Sequence, residues 1–354
     1  MKKIETFTKS ILLNILLMLR HPYRTNENIS TDQKFKILVI RLNRIGDALV
    51  TTPLISYLKN HLNCEITVLA DRKNHFIFKK SLGADKVIIF RKGIVSFFKL
   101  IKEINSLHFD IIVDAHDDVS TTCTYLVAFS EAKYKVGLLK DNSKIFTHTI
   151  ERANPAKKHI VLRIMNLVKL LGLDFNPEKI NITYHASKES EIFVEKFLTE
   201  KFQHKKFIVG INISAGSDAR FWGKDRFKKL IKFFESYDVN ILLLSSGSDL
   251  DKIKDLRNRR LINFYSNDFD KFTAIIAKLD LLITPDTSVV HLASAYKVPV
   301  FGLYIKYNTE DMIWSPFKSE FDCVITEEPT LINMNYETVI NKLKPFFERL
   351  SNAK

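Results

Sequence analysis

The chain has 354 residues, 46% apolar and 27% charged, with only 10 Gly and 9 Pro. That composition supplies enough apolar surface for more than one core and excludes disordered, collagen-like and short-repeat architectures. Lys and Arg outnumber Asp and Glu by 54 to 40, a formal charge of +14, which suits anionic partners such as nucleotides, phosphorylated glycolipids, a membrane surface or nucleic acid, or reflects a merely Lys-rich composition.

Cys64, Cys123 and Cys323 show neither CxxC nor Cys/His ligand spacing. A disulfide framework and a zinc site are therefore not expected, and a reducing, cytoplasmic compartment is. Residues 1–35 carry the apolar run Ile11 to Leu19 behind Met1, Lys2 and Lys3. Asn14 interrupts this run and no small-residue cleavage site follows, which argues against a signal peptide. As a helix it would cover about 13 Å of a hydrocarbon core roughly 30 Å thick, too little to span it. Flanked by Lys9, Arg20 and Arg24, it suits either a membrane interface or packing on the protein's own surface.

From Lys36 onward, short β-branched runs alternate with amphipathic stretches, the pattern of βαβ units in an α/β protein. Strands are expected at residues 36–41, 65–69, 86–90 and 110–114, with helices at about 47–61, 73–82 and 95–107. Helices at about 158–171 and 187–202 lead into a second series of strands at 207–213, 240–244, 261–265, 281–284 and 298–303. Two Rossmann-like domains, 36–176 and 177–330, followed by a helical segment 331–354, account for the pattern.

Ligands of parallel sheets bind beyond the carboxyl ends of the strands, so those segments are the candidates. The first is RLNRIGDALVTTP, residues 41–53, where Gly46 permits a tight turn and Asp47 stands at a helix start, a position open to a simple N-cap. The second, NISAGSDARFWGKDRF from Asn212, places Ser214, Gly216 and Ser217 at a strand end, where backbone N–H groups can meet phosphate oxygens, and adds Arg220. Trp222 is expected to pack this loop. The third, TPDTSVVHLASAYKVPVFGLY from Thr284, runs through Asp286, Thr287 and Ser288 into a helix carrying His291. Its N-terminus suits a diphosphate. Taken singly, Asp286 also reads as an N-cap and His291 as an interior histidine. Neither GxxxxGK[ST] nor GxGxxG occurs, which removes the usual support for ATP hydrolysis and hydride transfer.

Together the three segments resemble glycosyltransferase family 9, the bacterial lipopolysaccharide heptosyltransferases. That family carries an R-hydrophobic-x-x-IGD-x-x-x-x-x-P block, an N-P-G-A-G-S-x-x-K-x-W block and a D-[ST]-G-x-x-H-x-A-x-A-x-x-x-P block. The resemblance covers residues 36 to 317 and implies a GT-B-like fold, two Rossmann-like domains facing across a cleft. It implies Asp47 as catalytic base, Arg220 at the family's phosphate-binding Lys, and Asp286, Thr287, Ser288 and His291 in the donor-binding turn with Ser214, Gly216 and Ser217. Asn43, Arg44, Asp114 and His116 are the acceptor-side candidates. Three departures stand out: Ser288 replaces Gly, Arg220 replaces Lys, and residues 114–121, DAHDDVST, lack the basic residue often found there.

The implied reaction is inverting transfer of a heptose from ADP-heptose to a Kdo or heptose residue of the lipopolysaccharide core. Arg220 and the helix N-terminus would stabilise the leaving diphosphate, so no metal site is required, although Mg²⁺ remains compatible. The rivals are a related transferase with another sugar donor, a GT-B-like epimerase and a non-catalytic binding protein of the same fold. Nucleic acid is not an expected partner, because the basic residues are scattered and no recognition motif is present.

Overall fold

The computed structural model describes residue 29 and residues 33–80, 82–249 and 261–353. The apolar run Ile11 to Leu19 lies outside the described residues. The chain divides into two units, Met1–Tyr184 and His185–Lys354.

In the first unit the described elements run β1 (Phe35–Arg41), α1 (Ile45–Leu49), α2 (Thr52–His61), β2 (Cys64–Asp71), α3 (His75–Lys80), β3 (Lys86–Phe90), α4 (Ile94–Ser106), β4 (Ile111–Asp114), α5 (Thr121–Phe129), β5 (Tyr134–Leu139), β6 (His148–Glu151) and α6 (Ile160–Met165). The strands form one parallel sheet of order β3-β2-β1-β4-β5-β6. Helices cover a parallel sheet on both faces, so its strands read as continuous apolar runs. In β1, FKILVIR, every residue except Lys36 is buried.

The single helix expected over residues 47–61 is two helices. Pro53 supplies no N–H and crowds the carbonyl four residues back. Thr51 Oγ1 donates to Asp47 O at 2.8 Å and Thr52 Oγ1 to Leu49 O at 2.8 Å, which occupies the carbonyls where the chain changes direction. The segment following residue 176 belongs to this unit up to Tyr184. Ile180, Ile182 and Tyr184 are buried, and the Thr183 N–H donates to Thr52 Oγ1 at 3.1 Å.

The second unit continues with α7 (Lys188–Lys201), β7 (Phe207–Asn212), α8 (Lys224–Phe234), β8 (Val239–Ser245), β9 (Leu261–Tyr265), α9 (Phe269–Ile276), β10 (Leu281–Pro285), α10 (Ser288–Ala295), β11 (Val300–Ile305), β12 (Phe321–Thr326) and α11 (Tyr336–Asn352). Its strands also pair in parallel, in the order β12-β11-β10-β7-β8-β9. The two strand orders have the same form, and each is Rossmann-like. The C-terminal helix is part of this unit's core: Val339, Leu343, Phe346 and Phe347 of α11 pack with Trp222, Phe227 and Phe234. Among the described residues, no helix is long and apolar enough to cross a membrane.

Candidate functional site

Each sheet has one place where the chain leaves a central strand and turns to opposite sides, and ligands of such sheets bind there. In the first unit it lies between β1 and β4, in the second between β7 and β10. The three candidate segments follow β1, β7 and β10.

Arg41 ends β1 and is 1% exposed. Its Nη2 donates to Asp47 Oδ1 at 2.7 Å, its Nε to Asp47 O at 3.1 Å, and its Nη1 to Ala115 O at 2.6 Å. One guanidinium therefore ties the loop after β1 to the loop after β4. The second Asp47 oxygen accepts the Arg44 N–H at 3.3 Å. Arg44 is the N-cap of α1 and Asp47 its third residue, so the N-cap reading of Asp47 is corrected: the carboxylate reaches back one turn to the cap. The Asp47 side chain keeps 17% of its surface open to solvent. Gly46 lies buried within α1, and the left-handed position of the turn is Asn43 at φ 89°, a conformation Asn tolerates better than most residues. Asn43 and Arg44 are both exposed beside Asp47.

Asp114 and His116 are placed differently from the other acceptor-side candidates. They are 0% and 2% exposed, so they support the loop from beneath and do not present polar atoms at the surface. His116 Nε2 accepts the Leu42 N–H at 3.2 Å, and Nδ1–H donates to Asp114 Oδ1 at 2.7 Å, the arrangement of a neutral ring. Burial, above all, holds the His116 pKa below its ordinary value, against the pull of Asp114. Burial pushes the Asp114 carboxyl up, but Lys140 and His116 outweigh it and hold the group well below the usual carboxylate range.

Lys140, from the end of the β5 region, brings a cation to the segment DAHDDVST. Its Nζ donates to Asp114 Oδ2 at 3.0 Å and to His116 O at 2.8 Å. Arg163 and Arg152 reach Asp117 Oδ2 at 2.6 and 2.7 Å. Sequence reasoning missed all three because they come from later elements and share no local motif with the residues they neutralise. Asp114, His116 and Cys123 also bring potential metal-ligand atoms within 4.8 Å of one another. The Cys123 thiol, pushed up by burial, donates to Asp114 Oδ1 at 3.2 Å. With the Lys140 ammonium already on the other carboxylate oxygen, the cluster is a closed hydrogen-bond network, and a divalent cation would crowd that ammonium.

In the second unit, Asn212 ends β7 and its Nδ2 donates to Ser214 O at 3.0 Å and to Thr284 Oγ1 at 2.9 Å, joining the β7 loop to β10. Ser214 Oγ accepts the Ser246 N–H at 2.7 Å. Gly216 takes φ 67° with open space around it, and Gly216 and Ser217 are exposed. Arg220 Nη2 pairs with Asp286 Oδ2 at 3.0 Å, the two side chains 34% and 25% exposed. Two candidates from different segments therefore meet.

Thr287 is the N-cap of α10 and accepts the Val289 N–H at 3.3 Å. This assigns the cap to Thr287 and corrects the N-cap reading of Asp286, which stands just outside the helix beside partly exposed Ser288. His291 is 3% exposed, its ring 6.0 Å from that of Trp314. Trp222 is fully buried, stacks on Tyr336 and donates Nε1–H to Met334 O at 3.0 Å, as a packing residue does. Tyr304, at the end of β11, was not foreseen: burial first, and the Asp286 charge second, push its hydroxyl well above the usual range.

A separate hollow of about 190 Å³, lined in part by His108, Asp110, Glu131 and Lys133, lies at the amino ends of β4 and β5. That is the opposite end of the sheet from Asp47, and the Asp110 carboxylate is engaged there by the Lys36 N–H at 2.8 Å.

Comparison with known proteins agrees with the fold. The model of glycosyltransferase family 9 (heptosyltransferase) matches residues 97–344. The putative lipopolysaccharide heptosyltransferase 4 of Escherichia coli is 22% identical over 97% of this chain and 96% of its own length. Among solved structures, a family 9 glycosyl transferase from Veillonella parvula superposes with a TM-score of 0.76 at 19% identity, covering 91% of this chain and 99% of that one. The E. coli ADP-heptose lps heptosyltransferase II gives 0.69 at 16% identity, covering 89% and 99%. These likenesses establish a GT-B-like fold of two Rossmann-like units. With the family model matched over most of its length, the chain belongs to glycosyltransferase family 9, the heptosyltransferase family, and is a glycosyltransferase.

Proposed function

We propose that this enzyme moves a heptose, with inversion, from ADP-heptose to the inner core of lipopolysaccharide on the cytoplasmic face of the inner membrane. The observation that carries the reading is Asp47, a carboxylate fixed by Arg41 yet still 17% exposed at the switch point of its sheet. A base at that position takes the proton of the acceptor hydroxyl as its oxygen attacks the anomeric carbon. The bond from that carbon to the phosphate oxygen breaks, and ADP departs with the electron pair. General-base assistance of this kind contributes about 10²–10⁴-fold in rate.

Ser214, Gly216 and Ser217, Arg220 and the first turn of α10 through Thr287 and Ser288 form the donor side. Free N–H groups and a guanidinium there stabilise charge developing on the diphosphate. Asp286 orients Arg220, and His291 supports the turn from within. Asn43 and Arg44 face the acceptor, with Asp114 and His116 holding their loop. No step requires a metal, and Mg²⁺ could assist only the departing diphosphate. The ADP-heptose named for the E. coli relative supports the choice of donor.

The test is an assay of the purified full chain with ADP-heptose, with and without a heptose-deficient core acceptor, in Mg²⁺ and in EDTA. A heptosylated product with inverted anomeric configuration by NMR is expected only when acceptor is present. Equal donor consumption without acceptor would point to an epimerase or hydrolase, and no turnover with ADP-heptose but turnover with another nucleotide sugar would reassign the donor.

A further inference from the structure

We propose that the first turns of α4 form a docking surface by which the first unit sits on an anionic lipid bilayer. The inference rests on the lipid-linked acceptor proposed above only for its biological purpose; the surface itself is argued from the helix. Ile94, Val95 and Phe98 are 79%, 68% and 61% exposed. Positions 94, 98 and 102 stack along one helix face with 95 and 99 beside them, while Leu100 and Ile104, 6% and 2% exposed, turn to the core. The outward face at the start of this helix is thus apolar where a solvated helix is polar. Single exposed apolar residues need no explanation, but a contiguous trio of large ones marks an interaction site.

The surroundings of the trio decide the partner. Arg91, Lys92, Lys99 and Lys102 are all exposed around it, against the single exposed acid Glu103 on the same helix. An apolar strip with a basic rim is the pattern of an interfacial helix on acidic headgroups, where apolar side chains enter the acyl boundary and cations meet phosphate. Gly93 caps α4 without a side-chain hydrogen bond, which leaves first-turn N–H groups available to the same phosphates. A second copy of the chain docking on this face would oppose like charges, which disfavours a self-interface.

Placement in the fold agrees with this role. The helix begins directly after β3, an edge strand, so its first turn lies at the carboxyl end of the sheet. Asp47 occupies the same end, following β1. A bilayer under the start of α4 would therefore present a membrane-anchored acceptor to the end of the sheet that carries the candidate base.

The experiment measures co-sedimentation of the full chain with vesicles of phosphatidylglycerol and phosphatidylethanolamine, and with phosphatidylcholine vesicles as the neutral control. Partitioning into the anionic vesicles is expected to be at least about 10-fold stronger. The double variant Ile94→Ser/Phe98→Ser should lose about 10-fold of it at unchanged melting temperature, and Lys99→Glu/Lys102→Glu should abolish the preference for anionic lipid. Phe98→Trp supplies a second readout: its fluorescence should shift to the blue with anionic vesicles and be quenched by brominated acyl chains. Transfer to a delipidated acceptor should stay within about twofold in the Ser double variant, so failure of the docking surface and failure of the proposed activity are separable. Unchanged partitioning of the Ser variant, no quenching at position 98, binding to soluble polyanions as strong as to vesicles, or dissociation of an oligomer by the same substitutions would each overturn the proposal.

Discussion

Arg220 Nη2 lies 3.0 Å from Asp286 Oδ2, so the loop after β7 and the turn after β10 share an ion pair at the mouth of their sheet. The pair keeps a cation where phosphate is expected and offsets a carboxylate that would otherwise repel it. Removing Arg220 alone therefore does two things, deleting a donor and exposing an uncompensated negative charge.

Arg220→Ala is expected to weaken ADP binding by roughly 10–100-fold, the range of a lost charge-assisted hydrogen bond, while adenosine binding barely changes. Arg220→Ala/Asp286→Asn should recover part of the loss, giving a non-additive cycle. Calorimetry on the four proteins with both ligands checks this; equal losses for ADP and adenosine would refute the phosphate assignment.

Asp47→Asn keeps the side chain's shape and an acceptor for Arg41 but cannot take a proton. Transfer should fall at least about 10²-fold, with the ADP dissociation constant within about twofold of wild type. Near-normal turnover would remove Asp47 from the mechanism. A collapse of the melting temperature would show instead that the Arg41 pair is chiefly structural.

His116 makes stability depend on pH in a defined direction. Its folded pKa lies below the ordinary 6.5, so on acidification the unfolded chain gains a proton that the folded ring refuses. The stability contribution is full above pH 6.5 and is lost as pH falls below it. Melting temperatures between pH 7.5 and 5 should fall more steeply for the wild type than for His116→Gln, whose side chain does not titrate. Parallel curves would show that other groups govern acid sensitivity.

Trp222→Phe should cost stability and leave binding intact. It leaves the Met334 carbonyl without the Nε1–H donor held at 3.0 Å in a fully buried site. The expected loss is about 1–3 kcal/mol, or roughly 2–10 °C in the melting temperature of the second unit. ADP affinity within about twofold of wild type completes the expectation, and a large loss of affinity at unchanged stability would place Trp222 against the ligand instead.

The sequence by itself determined the α/β class, most strands of both sheets and the three loops proposed to carry the chemistry. Strands buried on both faces must be apolar throughout, and the residues after them must turn, so both signals are local. Pro53 already encoded the break between α1 and α2, but periodicity alone ran the two together. The sequence did not reveal that Arg41 would hold Asp47, that Arg220 would meet Asp286, or that Lys140, Arg152 and Arg163 would neutralise DAHDDVST. Those pairings join residues from separate elements, and only the strand order brings them within hydrogen-bonding distance. Asp114 and His116 stood as acceptor-side candidates for the same reason: a polar residue at a strand end reads identically whether it faces solvent or a buried ammonium, and burial is decided by what the rest of the chain packs over it.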